Sequence, residues 1–188
     1  MADGTLKVGT ITTSSGSGTI TIGQSGETVS FPTGVNLSGN GITNTPAFHV
    51  YLSGNQNITS ATTTKVQFDT ENFDTNNAFD TSTYTFTVPS GEAGKYKFYF
   101  DLSAKSNSND VTYIIAFLYK NGSIIKRSET NSNSTANAQF RVYQVITSAT
   151  LDLSVGDYIE AYAYINGTSP FVQAETGNRS HFEGYKLL

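Results

Sequence analysis

His49 and His181 are the only imidazoles in this chain of 188 residues, so acid-base or metal chemistry must run through them or through carboxylates. No third ligand at a suitable spacing accompanies them, and the reading is two ordinary strand residues and no metal centre. The absence of cysteine removes disulfides, thiolate nucleophiles and thiolate-held zinc together. Serine and threonine abound, yet no Gly-x-Ser-x-Gly elbow positions a nucleophile, and no glycine-rich loop runs into Lys-Ser/Thr to cradle a phosphate. Asp69-Thr70-Glu71 with Asp74, and Asp80, offer hard oxygen donors, but their spacing is not that of an EF-hand loop. They read as solvated carboxylates that keep a surface of low charge soluble. Neither catalysis nor a cofactor is expected.

The elements that carry these residues follow from composition. Charged residues make up 14% of the chain and the net charge is −4, which leaves no basic field for nucleic acid. No stretch approaches the roughly twenty apolar residues that span a bilayer, and Met1-Ala2-Asp3-Gly4-Thr5 lacks the basic and apolar regions of a secretory signal. A soluble product of a cytoplasm is expected. The triplets Asn57-Ile58-Thr59, Asn121-Gly122-Ser123 and Asn166-Gly167-Thr168 then follow from composition alone. Gly, Thr, Ser and Asn combined with many Tyr and Phe, and apolar residues alternating with period two, define an all-β class of short twisted strands and tight turns.

Residues 1–45 stand apart as an arm. Gly4-Thr5-Leu6-Lys7-Val8-Gly9 is echoed by Gly18-Thr19-Ile20-Thr21-Ile22-Gly23, with Val29 and Phe31 beyond and Gly-rich turns between. The expectation is a series of strands of three to five residues, too short to stand alone. Leu6, Val8, Ile11, Ile20, Ile22, Val29 and Phe31 are the side chains expected to anchor the arm to a partner, and Ser38 to Pro46 is the expected linker.

Residues 46–188 form the head, with strands expected at 47–52, 65–69, 84–88, 95–104, 111–120, 123–128, 139–146, 157–165 and 181–188. Lys120-Asn121-Gly122-Ser123 marks a two-residue hairpin, since Asn-Gly accepts the positive φ values of a type I′ turn. Along 111–119, Val111, Tyr113, Ile115, Phe117 and Tyr119 share one parity while Ile114, Ala116 and Leu118 occupy the other, so both faces read as buried. Along 157–165, Ile159, Ala161, Ala163 and Ile165 suit a core and Tyr158, Tyr162 and Tyr164 face away from it. A two-layer sandwich covers one face of each sheet, which makes Tyr158, Tyr162, Tyr164, Ile114 and Leu118 the expected contact between copies.

The run Gly94-Lys95-Tyr96-Lys97-Phe98-Tyr99-Phe100 resembles the glycine, tyrosine, phenylalanine, aromatic alternation of the C1q globular head, whose jelly roll is shared with the tumour-necrosis-factor superfamily. Phe68, Asp74, Phe79 and Phe86 fall at that family's intervals, with two extra residues between Phe86 and Gly94 that fit a longer turn through Pro89-Ser90-Gly91. Lys120-Asn121-Gly122, the stretch Leu151-Asp152-Leu153-Ser154-Val155-Gly156-Asp157, and Phe182-Glu183-Gly184-Tyr185-Lys186-Leu187 extend the resemblance over residues 46 to 188. It implies a ten-strand jelly roll assembled as a homotrimer, a binding or structural head without enzymatic activity, and first and last strands that are neighbours, which would bring His49 near His181. The Gly-Thr-Leu-Lys-Val and Ser-Gly-Glu-Thr-Val phrases of the arm resemble openings of small structural proteins of aquatic bacteriophages. Together the two resemblances imply a virion protein: a capsid decoration trimer whose arm packs on the major capsid protein or another virion protein. The alternative is a tail-fibre tip, with loops 106–110 and 130–137 touching a host-surface glycan or protein.

Overall fold

The computed structural model describes residues 10–11, 18–22, 25–31, 33, 45–132, 142–174 and 179–187. The chain divides into two units, Met1–Ser38 and Gly39–Leu188. In the first unit the expected strands around Ile20 to Ile22 and Val29 to Phe31 do not form: the described residues there adopt no regular ladder and turn at Gly26, whose φ is 91°. Leu6 and Val8 lie outside the described residues.

Among the described residues of the second unit every regular element is a strand. They are β1 (Ala47–Tyr51), β2 (Gln56–Asn57), β3 (Thr64–Lys65), β4 (Thr70–Asp74), β5 (Phe79–Asp80), β6 (Thr85–Thr87), β7 (Gly94–Ser106), β8 (Tyr113–Lys120), β9 (Ser123–Asn131), β10 (Tyr143–Leu153), β11 (Tyr158–Asn166), β12 (Pro170–Val172) and β13 (His181–Lys186). The described residues hold thirteen segments where ten strands are expected, three of them, β2, β3 and β5, being ladders of only two residues. They build two antiparallel sheets. One runs β2-β12-β7-β13-β1-β4 with β10 also on β7; the other runs β5-β6-β11-β8-β9 with β3 also on β11.

The core lies between the sheets and is dominated by phenylalanine. Period-two alternation sends Tyr96, Phe98, Phe100 and Leu102 of β7 inward, all fully buried. The Phe48 ring stacks on Phe86 at 5.1 Å between centroids and meets Phe182 edge-on at 5.0 Å, the offset and T-shaped geometries that aromatic quadrupoles favour. Gly184 is required here by space. A Cβ on it would lie 2.5 Å from the Phe98 ring and 2.8 Å from Phe48.

Several boundaries move from the sequence reading. The stretch 65–69 is not a strand past Lys65, although its alternation does bury Val66 and Phe68, and the chain crosses from β11 of one sheet to pair with β1 of the other at β4. β10 runs on to Leu153, so the Leu151-Asp152-Leu153 approach belongs to the strand itself. The Asn121-Gly122 hairpin forms as expected, with φ of 51° and 76° and Lys120 paired to Ser123. The extra residues before Gly94 form a turn in which the Glu92 amide donates to the Pro89 carbonyl at 3.1 Å and Gly91 takes a φ of 82°.

Candidate functional site

Each sheet has an outer face, and the ladder registers decide what each presents. On the six-stranded sheet, β8 pairs with β11 so that Ile114 lies across from Ile165 and Leu118 across from Ala161, all in the core between the sheets. Ile114 and Leu118 therefore cannot contact another copy, which corrects the expectation for these two residues. Val111 also departs from its parity: it precedes β8, and its side chain joins the core. The outward set is Tyr113, Ile115, Phe117 and Tyr119 on β8 with Tyr158, Tyr162 and Tyr164 on β11.

These outward side chains pack on one another. Tyr119 lies 4.3 Å from Tyr162 between ring centroids, Tyr113 meets Tyr164 edge-on at 5.6 Å, and Phe117 meets Tyr119 at 6.1 Å. Phe117 and Ile115 retain only 5% and 6% of their exposure. The apolar side chains of β8 on this face are thus already buried within one chain, whereas Ile124 of β9, across from Tyr119, is exposed. At its margin Lys65 Nζ pairs with Glu160 Oε1 at 2.6 Å and reaches Thr85 Oγ1 at 2.8 Å.

The outer face of the seven-stranded sheet differs in kind. Its registers arrange side chains in rows across β4, β1, β13, β7 and β10. One row reads Phe73, His49, Glu183, Tyr99, Ser148; on the next, Tyr51, His181, Asp101 and Ile146 follow one another from β1 to β10. His49 thus sits directly across from Glu183 and diagonally from His181, within the reach of long side chains on adjacent strands. The imidazole rings stack at 5.1 Å between centroids, and one ligand atom from each of His49, His181 and Glu183 falls within 4.8 Å of the others. Glu183 is the third group missing from the sequence reading. The His181-x-Glu183 spacing puts both on one face of a strand, and the first-to-last strand neighbourhood adds His49.

The surroundings bias these groups. Burial pushes the His49 imidazole below the ordinary histidine range, the His181 ring beside it adds to the effect, and Glu183, at 4.0 Å from His49 Nε2, opposes it. The Asn72 amide contacts His49 Nδ1 at 2.9 Å. Asp101 is buried, which raises its carboxyl above the usual range against the opposing effects of Gln144 and His181. Gln144 Nε2 donates to Asp101 Oδ2 at 2.7 Å, whereas Oδ1 is buried and, among the described residues, has no hydrogen-bond partner.

The acidic loops are engaged elsewhere. Asp69 accepts from the Ser53 amide at 2.8 Å and from its hydroxyl at 2.5 Å, Asp74 accepts from the Phe79 amide, and Asp80 accepts from Ser82 and Thr83. Each ties down a turn. The loop expected at 130–137 is described only to Ser132. In 106–110, Ser106 Oγ donates to Asp110 Oδ1 at 2.6 Å, and Asp110 in turn accepts from the Thr168 amide and hydroxyl.

No protein-family model and no curated protein matches the chain. Solved structures do. The globular domain of zebrafish complement 1qA protein superposes with a TM-score of 0.55 at 18% identity, covering 76% of this chain and 98% of that one. Murine APRIL at pH 5.0 gives 0.55 at 12% identity, covering 75% and 98%. At pH 8.5 it gives 0.54 at the same identity and coverage. The chain therefore carries a C1q/TNF-like jelly roll.

Proposed function

We propose that the chain is a non-enzymatic homotrimeric decoration protein of a bacteriophage capsid, held to the major capsid protein or another virion protein by its N-terminal arm. The observation that carries this reading is the arm itself. Ile11, Ile20, Ile22, Val29 and Phe31 keep 56%, 42%, 67%, 43% and 55% of their exposure, a run of large apolar side chains that a protein in water covers with a partner. An extended apolar segment docks by burying alternate side chains and adding backbone hydrogen bonds to a neighbour's sheet edge. Deleting residues up to 40 should abolish co-sedimentation with particles; retained co-sedimentation would end the anchoring role.

Self-association is assigned to the outer face of the seven-stranded sheet. That face leaves Ile146 and Phe73 at 59% and 50% exposed and strands the Asp101 oxygen, whereas the tyrosine face buries Ile115 and Phe117 and exposes a single large aliphatic side chain among the described residues, Ile124 at its β9 edge. The contact through Tyr158, Tyr162 and Tyr164 is the second possibility, favoured by three half-buried rings of one parity. Sedimentation of Ile146→Lys and Tyr162→Lys at equal concentration decides between them. Loss of the trimer in Ile146→Lys alone supports the assignment, and loss in Tyr162→Lys alone reverses it.

A tail-fibre tip that binds a host-surface glycan is the other functional reading. It is favoured by a shallow depression lined by Asn57, Ile58, Asn107, Ser169 and Pro170 beside the turn at 106–110. Polar and small side chains of this kind suit adaptable contacts. Hundreds of copies per purified particle support decoration; a few dozen at most support the tip.

A further inference from the structure

We propose that His49, His181 and Glu183 form a binding site for a divalent transition-metal ion of zinc-like chemistry. The three come from adjacent strands β1 and β13, and the ladder fixes their relation: Glu183 lies across from His49, with His181 two residues before it on the same face. Ligands on paired strands are positioned by backbone hydrogen bonds on both sides, more rigidly than ligands on loops.

The donor set selects the ion. Two imidazoles and one carboxylate match the three protein ligands of a zinc site that keeps its fourth position for water, whereas calcium and magnesium require oxygen-rich shells. The rings lie nearly parallel, 16° apart, so their nitrogen lone pairs now run side by side. Tetrahedral ligands at about 2.1 Å from zinc are roughly 3.4 Å apart. The present spread of up to 4.8 Å is within about 1.4 Å of that, a difference on the scale of side-chain rotation.

Two neighbours act as orienting groups. A metal-bound imidazole donates its remote N–H to an acceptor that fixes ring and tautomer. Asp101 lies directly across the ladder from His181 and holds a buried oxygen that is otherwise without a partner among the described residues, an expensive feature in a neutral sheet face and a useful one beside a cation-bound ring. For His49 the corresponding position is filled by the Asn72 side chain, whose amide presents either its nitrogen or its oxygen after a half turn. All three protein ligands come from one chain, and because they share the face assigned to self-association, assembly decides only what reaches the fourth position.

The test is calorimetric titration of the full chain, stripped with chelator, using Zn²⁺ alone, with Co²⁺ as a spectroscopic probe of coordination. One ion per chain with a Kd of about 10 µM or tighter is expected, together with the visible absorption of low-symmetry Co²⁺. His49→Ala and His181→Ala should each weaken binding at least about tenfold, and Asp101→Asn about tenfold through loss of ring orientation. Zinc should raise the unfolding temperature of the native chain and leave that of the double histidine variant unchanged, which reads the site even if a variant is less stable. Absence of zinc uptake by the native chain, or uptake retained by His49→Ala/His181→Ala, overturns the proposal. Sedimentation of the same samples reports the oligomer separately.

Discussion

The two outer faces of the sandwich solve the same problem in opposite ways. On the six-stranded sheet, the side chains of β8 and β11 that alternate away from the core are Ile115, Phe117 and a set of tyrosines, which pack on one another and leave Ile115 and Phe117 buried, while Ile124 at the β9 edge stays exposed. On the seven-stranded sheet, equivalent positions hold His49, His181, Glu183 and Asp101, groups that a neighbouring chain, a proton or a metal can address. Both lie over the same phenylalanine core. An aromatic strand pattern therefore does not by itself mark an interface: rings of adjacent strands within 4.3 Å shield each other, while a polar face with one stranded oxygen is left incomplete.

The sharpest way to break this contrast uses two neighbours on β8 that point in opposite directions. Leu118 is fully buried in the core and Phe117 is 5% exposed beneath the tyrosines. Leu118→Ala should cost about 3 kcal/mol, the usual penalty for a cavity in a core. If the tyrosine face is closed within one subunit, Phe117→Ala should cost nearly as much, about 3 kcal/mol, in urea unfolding at high dilution. A Phe117→Ala penalty that grows with protein concentration would instead show that the face is completed by another copy.

How much of this was legible depended on whether parity had one answer or two. On β7 and β11 one face is apolar and the other mixed, so Tyr96, Phe98 and Phe100, and Ile159, Ala161 and Ala163, were assignable to the core from alternation alone. β8 is apolar on both faces, and only its register with β11 reveals that Ile114 and Leu118 are inside. β4 was missed because Thr70 to Asp74 carries no apolar alternation and is an edge strand whose ladder is interrupted by a bulge opposite His49 and Val50. The residues 65–69 show the converse. Val66 and Phe68 alternate inward as in a strand, yet only the Val66 amide finds a backbone carbonyl, that of Ala161, while the Gln67 amide donates to the Gln56 side chain. The histidine cluster was legible in two of its three members. Glu183 stands two residues from His181, a spacing that puts both on one face only once they are known to share a strand, and His49 joins them only through the pairing of the first and last strands.

A smaller effect probes the margin of the tyrosine face. Glu160 retains 9% of its exposure and depends on Lys65, which also holds the Thr83 carbonyl and the Thr85 hydroxyl. Lys65→Met leaves a shielded carboxylate beside tyrosine rings without its cation, and a loss of about 2 kcal/mol is expected from thermal unfolding. Lys65→Met/Glu160→Gln should recover at least half of that loss, because the isolated charge is gone. A double variant as unstable as the single one would locate the effect in packing of the lysine stem instead.

The smallest effect distinguishes the faces by pH. The Tyr162 phenol is shifted up, first by burial and then by Glu160, Tyr119 and Tyr158, all of which disfavour a phenolate there. Because the folded group binds its proton more tightly than the unfolded one, its contribution is fully present below the unfolded pKa near 10 and is lost as pH rises through the higher folded value. The native chain should therefore lose stability above about pH 10 beyond what a solvated tyrosine would cause. Tyr162→Phe removes one titrating member of the face while keeping its ring, so part of the alkaline loss should disappear with stability at pH 7 changed by no more than about 0.5 kcal/mol. Chemical unfolding at pH 7 and pH 10.5 reads both quantities. Unaltered alkaline loss in Tyr162→Phe would mean that the rings are solvated and that the closure inferred for this face is not what shields Phe117.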